Sequence, residues 1–286
     1  MLRPCSRKGE RNDGGMTLPS LHPPLSIDDL RGARAAARIG CHLHYFESVD
    51  STNTVAHQLA RGGAADGTVV LAETQTKGRG RLGRTWVSPP YRNLYLSVIL
   101  RPGLPVSDAP PIGLVAGLAV AETVREWTPQ VAIKWPNDVL VAGRKVAGIL
   151  LEMEAEDGRV RFVILGVGVN LNSVADDFPP DLRDKAIGLC TAVGTPVDRG
   201  GFAARLLSRL EARYEVFLRE GFAAIQPLWE GLSCLTGRHV HIDGGGERHA
   251  GVVTGIGADA TLRLRDTAGQ EIRVVAGDVT VVDGYA

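Results

Sequence analysis

Two neighbouring segments are strongly apolar, and they constrain the fold more than any other part of the sequence. Residues 93–100 read Asn-Leu-Tyr-Leu-Ser-Val-Ile-Leu, with apolar side chains in both alternating sets of positions. A strand of this kind is covered on both faces, so we expect it near the centre of a sheet. Residues 112–127 follow a mostly apolar helical pattern rich in Ala and Gly, which predicts a helix buried against that sheet.

The hydrophobic pattern changes after Gly237. From there, short β-like runs alternate with Gly- and Asp-rich turns, at residues 238–242, 251–256, 261–265, 271–275 and 279–282. Several short strands at close spacing are typical of a small all-β domain. The sequence therefore predicts a β-barrel at residues 235–286, after a main domain at residues 27–234. Residues 1–26 are rich in Arg, Gly, Pro and Ser, a composition that predicts a disordered tail.

Charge and cysteine content argue against several classes of function. The chain has 286 residues, with 32 Lys and Arg against 32 Asp and Glu, so its formal net charge is zero. A neutral protein is a poor partner for duplex DNA or an anionic membrane, and we expect neither. The four cysteines are scattered without a C-x-x-C pair, which indicates neither a zinc site nor a disulfide framework and fits the cytoplasm. No apolar run is long enough to span a bilayer.

Residues 75–86 form the most distinctive stretch, Gln-Thr-Lys-Gly-Arg-Gly-Arg-Leu-Gly-Arg-Thr-Trp. Its glycines permit turns and close approach to a ligand, and its Lys and Arg side chains suit phosphates or carboxylates. Trp86 at the end can stack on a base. The stretch is either a cationic loop that closes over an anionic, nucleotide-like ligand or a solvated, basic hairpin tip.

The same stretch contains the letters G-x-G-x-x-G at residues 78–83. As a dinucleotide fingerprint, these letters require a helix that opens at the last glycine and an acidic residue about 20 positions on. Two prolines follow at residues 89–90 instead, and residues 99–103 contain no acid. We therefore exclude a Rossmann site. The Gly-Lys-[Ser/Thr] ending of a P-loop is missing as well.

Lys134 is a charged residue inside an apolar strand pattern at residues 131–141. Pro136, Asn137 and Asp138 form a turn signal that divides this pattern into two strands. A lysine in a strand that looks buried lies either at the edge of the sheet or in a site. Asp138 can pair with Lys134 or help to hold Mg²⁺ near phosphates.

Glycines mark the next two strands. Lys145 begins the run at residues 145–152, and Gly148 within it permits close approach of a ligand. Gly166 and Gly168 alternate, which leaves one face of their strand without side chains. That face can accept either a flat apolar ligand or a crossing helix.

A helix is expected at residues 54–61, with Asp50 or Ser51 as its N-cap. The free N–H groups of a helix start suit an anion or a polar ligand. An ordinary cap also explains these residues, and on this stretch alone it is the favoured interpretation.

Five stretches, taken together, resemble the bacterial biotin–protein ligases, also called biotin–[acetyl-CoA-carboxylase] ligases. They are Asp50-Ser51-Thr52-Asn53, residues 75–86, residues 134–139 (Lys-Trp-Pro-Asn-Asp-Val), residues 145–152 (Lys-Val-Ala-Gly-Ile-Leu-Leu-Glu) and residues 166–170 (Gly-Val-Gly-Val-Asn). Their order and spacing agree with the family, from about residue 42 to the end of the chain. Each stretch alone is modest evidence, whereas five in order are highly specific.

The resemblance implies a fold and a reaction. The implied fold is α+β, a mixed sheet flanked by helices and related to class II aminoacyl-tRNA synthetases, with an SH3-like C-terminal barrel. In the first step, the biotin carboxylate attacks the α-phosphorus of ATP and gives biotinyl-5′-AMP and pyrophosphate. In the second step, a lysine of a biotin carboxyl carrier domain takes the biotin. The implied ligands are ATP, biotin and Mg²⁺, and the implied partner is the carrier domain.

The resemblance also assigns roles. Lys145 is expected to contact both the biotin carboxylate and the α-phosphate, while Arg79 and Arg81 cover the adenylate and keep water from it. The residues expected around biotin are Ser51, Thr52, Asn53, Gln75, Arg79, Gly80, Arg81, Lys145, Gly148, Gly166 and Gly168. Those expected around ATP and Mg²⁺ are Arg81, Arg84, Trp86, Lys134, Asn137, Asp138 and Asn170, with the metal near Asp138.

Some members of the family carry an N-terminal helix-turn-helix and repress transcription. The segment before residue 40 is too short for one, so we expect a ligase without repressor activity. Dimerisation through the sheet is common in the family, which leaves a homodimer open. Leu82 stands where some relatives have a basic residue, so the hold of the loop on the adenylate can differ.

Two alternatives belong to other classes of function. One is a lipoate or octanoate ligase of the same fold, and the other is a non-catalytic module that binds a carrier domain. The Gly-Arg-Gly-Arg loop and the Lys-Trp-Pro-Asn-Asp stretch favour biotin. A binding module would not need Lys145, so formation of an adenylate separates it from the ligases.

Overall fold

The computed structural model describes residues 23–244 and 247–282. In these residues the main domain is built on a sheet of seven strands: β1 (Leu43–Val49), β2 (Val69–Gln75), β3 (Leu94–Leu100), β4 (Val131–Lys134), β5 (Asp138–Val141), β6 (Arg144–Glu156) and β7 (Arg159–Val169). The spatial order is β1-β2-β3-β7-β6-β5-β4. β1 and β2 run parallel and the other neighbouring pairs run antiparallel, so the sheet is mixed, as predicted.

Helices cover both faces of this sheet. They are α1 (Ile27–Arg34), α2 (Thr52–Arg61), α3 (Pro111–Val124), α4 (Leu189–Val193), α5 (Arg199–Glu220) and α6 (Gln226–Glu230). α3 packs on β4, β5 and β6, and α5 packs on α3, so these two helices form successive layers on one side. α2 covers β2, β3 and β7 from the other side, over a second apolar cluster that includes Phe162.

The two strongly apolar segments have the predicted positions. β3 lies within the sheet between β2 and β7, and every one of its side chains is buried. α3 begins with Pro111, where a missing N–H costs nothing because the first turn has no partner for it. The helix is buried on nearly all sides because the sheet covers one side and α5 covers the other.

The C-terminal part is a second sheet. Its strands are β8 (His239–Gly244), β9 (Glu247–Ile256), β10 (Leu262–Arg265), β11 (Glu271–Val274) and β12 (Asp278–Val281). Within the described residues they pair antiparallel in the order β11-β10-β9-β8-β12. The prediction of a β-rich C-terminal part is thereby confirmed. Its SH3-like character and the boundary between residues 234 and 235 stay predictions.

Hydrogen bonds, one of them fully buried, join this second sheet to the main domain. The indole Nε1 of Trp135 donates to the carbonyl oxygen of Ala260 at 2.9 Å, and Trp135 is 1% exposed. The backbone N–H of Ile256 donates to Glu230 Oε1 at 3.0 Å. The chain after α6 also covers the edge of the sheet, since Ile133 N donates to the carbonyl oxygen of Leu232 at 2.7 Å.

Most of the expected tail, residues 1–22, lies outside the described residues. Of the four tail residues that the structure describes, Pro23 and Leu25 contact the main domain, and the boundary at residue 27 stays a prediction. Leu25 is buried and its N–H donates to Glu73 Oε1 at 2.8 Å. Glu73 is itself buried and pairs with Arg199 at 2.6 Å. No helix in the two described ranges is both long and apolar enough to cross a membrane.

Candidate active site

A cavity of about 790 Å³ opens where the main sheet, the basic loop (residues 76–85) and the C-terminal sheet meet. All the residues that the sequence analysis selected line this one cavity: Ser51, Thr52, Asn53, Gln75, Arg79, Gly80, Arg81, Arg84, Trp86, Lys134, Asn137, Asp138, Lys145, Gly148, Gly166, Gly168 and Asn170. A space of this volume suits a small-molecule ligand. The fold therefore brings the five stretches together, while the role of each residue stays a prediction.

Lys134 ends the edge strand β4 and also lines the cavity. Its position at the sheet edge is confirmed, and its part in a site stays a prediction. Burial lowers the pKa of Lys134 below its ordinary value, because its ammonium group is largely removed from water. An anionic ligand in the cavity would favour the charged form again.

Lys145 and Asp138 form an ion pair inside the cavity. The Nζ atom of Lys145 lies 2.6 Å from Asp138 Oδ1. In the described part of the chain this oxygen accepts no hydrogen bond of regular geometry, so the contact is mainly a charge interaction. Lys145 N and its carbonyl oxygen also pair with Lys185 and Ile187, which fixes the start of β6. The ammonium group is thus held at a place where it can meet anions.

The glycine face receives two side chains of the protein itself. A Cβ atom added at Gly168 would stand 2.6 Å from Cε2 of Trp86, and one added at Gly148 would stand 2.9 Å from Cζ3 of the same ring. A Cβ atom added at Gly166 would stand 2.3 Å from Asn53 Oδ1. A larger residue at any of these positions would displace the side chain that packs on it. Of the two alternatives from the sequence, the helix is present, since the start of α2 packs on this face, and a flat ligand there stays a prediction.

The Trp86 indole has an unused polar atom. Its Nε1 is buried and has no hydrogen-bond partner among the described residues. The Nζ atom of Lys145 lies 5.4 Å from the centre of the ring, within the range of a cation–π contact. A buried donor without a partner is costly, and a ligand that accepts a hydrogen bond there would remove that cost.

A chain of hydrogen bonds connects the start of α2 with the sheet. Thr52 N donates to Gln75 Oε1 at 2.9 Å, so a side chain from β2 binds the first N–H of the helix. Ser51 is the N-cap residue by position but makes no side-chain cap. Asn53 Oδ1 accepts from Ser97 Oγ at 2.6 Å, and Asn53 Nδ2 donates to Glu152 Oε2 at 2.7 Å.

The basic loop is a compact turn whose arginines each bind a different element. Arg79 pairs with Glu152 of β6 at 2.9 Å, Arg81 donates to Asn137 Oδ1 at 3.1 Å, and Arg84 pairs with Asp278 of β12. Burial lowers the pKa of Arg81 below its ordinary value. A single 3₁₀ turn at Arg81–Gly83 is followed by extended chain. The exclusion of a Rossmann site is consistent with this, since no α-helix opens at the third glycine.

The sequence analysis missed three residues that hold this arrangement. Ser97 and Glu152 are polar residues within apolar strand patterns. This is the same signal that singled out Lys134. Asp278 reaches the cavity only because the second sheet folds back onto the loop. No local pattern in the sequence signals that approach.

Residues 45–170 match the model of the Biotin/lipoate A/B protein ligase family. The Mycobacterium tuberculosis protein named Biotin--[acetyl-CoA-carboxylase] ligase is 36% identical over 274 residues, which cover 91% of this chain and 96% of that protein. The chain belongs to the biotin–protein ligase family. This confirms the resemblance carried by the five stretches.

Two further members of the biotin–protein ligase family extend the comparison. The Bifunctional ligase/repressor BirA of Bacillus subtilis (strain 168) is 38% identical over 246 residues, which cover 86% of this chain and 76% of that protein. A solved structure of the biotin protein ligase from Aquifex aeolicus, in complex with biotin and ATP, has a TM-score of 0.71 at 28% identity and covers 84% of this chain and 98% of that one. The predicted fold class, a mixed sheet flanked by helices with a C-terminal β-sheet, is confirmed by this likeness.

Proposed function

We propose that this chain is an ATP-dependent biotin–protein ligase, which activates biotin to biotinyl-5′-AMP and transfers it to a lysine of a biotin carboxyl carrier domain. The observation that carries the proposal is the cavity, where a cationic loop, an ion-paired lysine and a glycine face line one space. The name of the M. tuberculosis relative and the biotin and ATP bound in the A. aeolicus structure support the same reaction.

The first step brings two anions together, so cations at the meeting point lower its barrier. One oxygen of the biotin carboxylate attacks the α-phosphorus of ATP. A new P–O bond forms, and the bond to pyrophosphate breaks and leaves its electron pair with that product. Lys145 supplies the positive charge where the carboxylate and the α-phosphate meet. Before the ligands bind, Asp138 is its counter-ion. Positioning and charge account for the catalysis, without a covalent enzyme intermediate.

The second step is an acyl transfer. The uncharged amine of the carrier lysine attacks the acyl carbon of the adenylate, a C–N bond forms, and the C–O bond to AMP breaks. The nitrogen then gives up a proton. Because the adenylate is a mixed anhydride that water also attacks, Arg79 and Arg81 have the task of closing the basic loop over it until the carrier arrives.

The cavity divides naturally into two halves. We assign biotin to the half formed by Ser51, Thr52, Asn53, Gln75, Gly80, Gly148, Gly166 and Gly168, and ATP to the half formed by Arg84, Trp86, Lys134, Asn137, Asp138 and Asn170. Since the Trp86 indole covers Gly148 and Gly168, it occupies part of the biotin half. We propose that it shifts toward the adenine when biotin enters.

Mg²⁺ fits this site only together with ATP. The described residues contain no group of three or more His, Cys, Asp or Glu side chains that could hold a metal ion. Mg²⁺ commonly takes one or two carboxylates plus phosphate oxygens, and Asp138 can offer such a carboxylate once Lys145 turns to the anionic substrates. Bound there, the ion would neutralise phosphate charge.

We propose the carrier domain of a carboxylase as the protein partner and the cytoplasm as the compartment. The compartment rests on the supply of ATP there and on the free thiols of Cys41, Cys190 and Cys234. A homodimer through the sheet is the assembly that the family suggests. We propose no role for nucleic acid, and the zero net charge supports that choice.

The experiment is pyrophosphate release from ATP and Mg²⁺, with biotin, lipoate or octanoate as the acid and with a biotin carboxyl carrier domain added in a second stage. The proposal predicts release with biotin alone and a carrier that gains one biotin by mass spectrometry. Release with lipoate or octanoate instead would move the assignment to the lipoate enzymes, which the family description also covers. Carrier binding without any release would indicate a binding module.

A further inference from the structure

Glu152 ends the fourth of the five stretches, and the proposed reaction gives it no task. Its Oε2 atom accepts two hydrogen bonds, one from Asn53 Nδ2 at 2.7 Å and one from Arg79 at 2.9 Å. The side chain is 31% exposed and lines an adjoining cavity of about 630 Å³ beneath the basic loop, which shares Arg79, Gly80 and Arg81 with the larger one. One carboxylate oxygen therefore touches the start of α2 and the basic loop at the same time.

The first contact determines which way the Asn53 amide points. An ionised carboxylate only accepts hydrogen bonds, so the NH₂ group of Asn53 must face Glu152 and its oxygen must face Ser97. Ser97 is fully buried and has one hydroxyl proton, which Asn53 Oδ1 takes at 2.6 Å. Ser97 Oγ also lies 2.8 Å from Thr52 Oγ1, and the Thr52 hydroxyl donates to Gln75 Oε1 at 3.2 Å.

The row of polar groups continues from Thr52 to Gln75. Gln75 Oε1 accepts from Thr52 N, which leaves Gln75 Nε2 to donate to Ser88 Oγ at 3.2 Å. Glu152 thus sets the donor and acceptor pattern at the Asn53–Ser97 end of this row of polar groups, and the backbone N–H of Thr52 sets it at the Gln75 end. The Asn53 amide has two possible orientations, which exchange its donor and its acceptor. A ligand with fixed donors and acceptors, such as a ureido ring, matches only one of them.

The second contact holds the basic loop. Arg79 can cover an adenylate only if it leaves Glu152, because a guanidinium group that binds this carboxylate is not available to a phosphate. The pair is partly exposed, with 45% of the Arg79 side chain accessible. Such a pair contributes little stability and is readily exchanged for a stronger anion.

We propose that Glu152 is a positioning residue with two tasks: it orients the Asn53–Ser97 end of the row for biotin, and it holds Arg79 until the ligand takes over. The inference rests on the proposed function, since it names biotin as the ligand of the row. Glu152 touches no reacting atom in this account.

Three variants separate the two tasks. Glu152→Gln still offers an oxygen to Asn53 but has no charge for Arg79. Ser97→Ala leaves the Arg79 pair intact but removes the partner of Asn53 Oδ1. Glu152→Ala removes both contacts. Glu154→Ala is the matched control, because Glu154 lies two residues on along β6 and binds Arg61 and Arg161 instead.

The first measurement is the biotin Kd by calorimetry, with thermal unfolding to establish that each variant is folded. We expect Ser97→Ala and Glu152→Ala to weaken biotin binding about tenfold, as the loss of a buried hydrogen bond does. Glu152→Gln and Glu154→Ala should stay within about twofold of the wild type, because the row keeps its orientation in both.

The second measurement is the rate of tryptic cleavage within residues 77–84 without ligand. We expect Glu152→Gln and Glu152→Ala to be cut about threefold faster than the wild type, since an exposed ion pair of this size changes the open population by that order. Ser97→Ala and Glu154→Ala should be cut at the wild-type rate. Biotin with ATP should protect all of them.

Glu152→Ala that binds biotin and resists trypsin as well as the wild type would overturn the inference while leaving the ligase assignment intact. A wild-type chain that binds no biotin would overturn the proposed function and this inference with it. Equal losses in Glu152→Ala and Glu154→Ala would also overturn it, because they would indicate general weakening of β6.

Discussion

The indole of Trp86 lies directly on Gly168, and a Cβ atom at that glycine would stand 2.6 Å from Cε2 of the ring. The absence of a side chain at one position of β7 therefore determines where the aromatic residue that follows the basic loop can lie. The same ring covers Gly148 on the neighbouring strand β6.

Gly168→Ala should displace this ring. Contacts below 3.0 Å cannot form, so Trp86 must move, and we expect biotin-dependent pyrophosphate release to fall about tenfold or more through misplacement of the site. Gly113→Ala in α3 is the control, because its new Cβ atom would meet Leu151 at an ordinary 3.9 Å. Equal rates of pyrophosphate release in the two variants would show that the position of the Trp86 indole on Gly168 has no role in the reaction.

Lys134→Met should preserve the stability of the protein at pH 7 while it weakens ATP binding. Burial lowers the pKa of Lys134 below its ordinary value of 10.5, so the folded state binds this proton less tightly than the unfolded state. The free energy of unfolding of the wild type should therefore rise with pH between the lowered pKa and about 10.4. Urea unfolding at several pH values should show the variant to be at least as stable at pH 7 and without this rise.

Nucleotide binding should show the functional cost of the same substitution. Lys134→Met should weaken ATP binding, measured by calorimetry, because a cation is removed from the cavity. A variant that is less stable than the wild type at pH 7 and yet binds ATP normally would argue that Lys134 is a structural residue of the sheet edge.

Trp135→Phe should weaken the packing of the C-terminal sheet on the main domain. The change removes the buried donor to the carbonyl oxygen of Ala260 and should lower the free energy of unfolding by about 1–3 kcal/mol. Trp229→Phe is the control for the lost ring volume, since Trp229 is equally buried and its Nε1 has no partner in the described residues. Denaturant unfolding measures both variants. Equal losses in the free energy of unfolding would mean that the Trp135 hydrogen bond contributes no stability of its own.

Cys234 should react slowly with alkylating reagents. Burial beside β4 raises the pKa of the Cys234 thiol to about 11, so at pH 9 only about one thiol in a hundred is ionised. Because the folded pKa is raised, the associated stability is present below the ordinary pKa of 9.0 and is lost as the pH rises toward 11.

Iodoacetamide labelling followed by peptide mass spectrometry measures this reactivity. The rate at the Cys234 peptide should climb steeply between pH 9 and 11, with the Cys190 peptide of the same digest as a check on the reagent. A rate that levels off below pH 9 would mean that the strand edge beside Ile133 is open to solvent.

Local patterns in the sequence predict much of this fold. The apolar run at residues 93–100 could only be an interior strand, and α3 needed cover on all sides because it lacks a polar face. The turn residues after Gly237 divided the C-terminal strands at nearly the observed places. Lys134 stood out because a charge in an apolar strand demands an explanation.

The rest depends on contacts between distant positions. Nothing near Trp86 indicates that its ring rests on Gly168, and nothing near Asp278 indicates that it meets Arg84. The orientation of Asn53 follows from Glu152, which lies 99 positions further along the chain. Such pairings follow from the order of strands in the sheet, which periodicity within a single segment does not determine.

The central claim is that Lys145 serves adenylate formation, and biotin-dependent pyrophosphate release by Lys145→Ala tests it most directly. Arg144→Ala is the matched control, since Arg144 is the preceding cation on β6 and lies on the opposite face of the strand. We predict that release falls about a hundredfold or more in Lys145→Ala and stays near the wild-type rate in Arg144→Ala. Release by Lys145→Ala at the rate of the Arg144→Ala control would contradict the account.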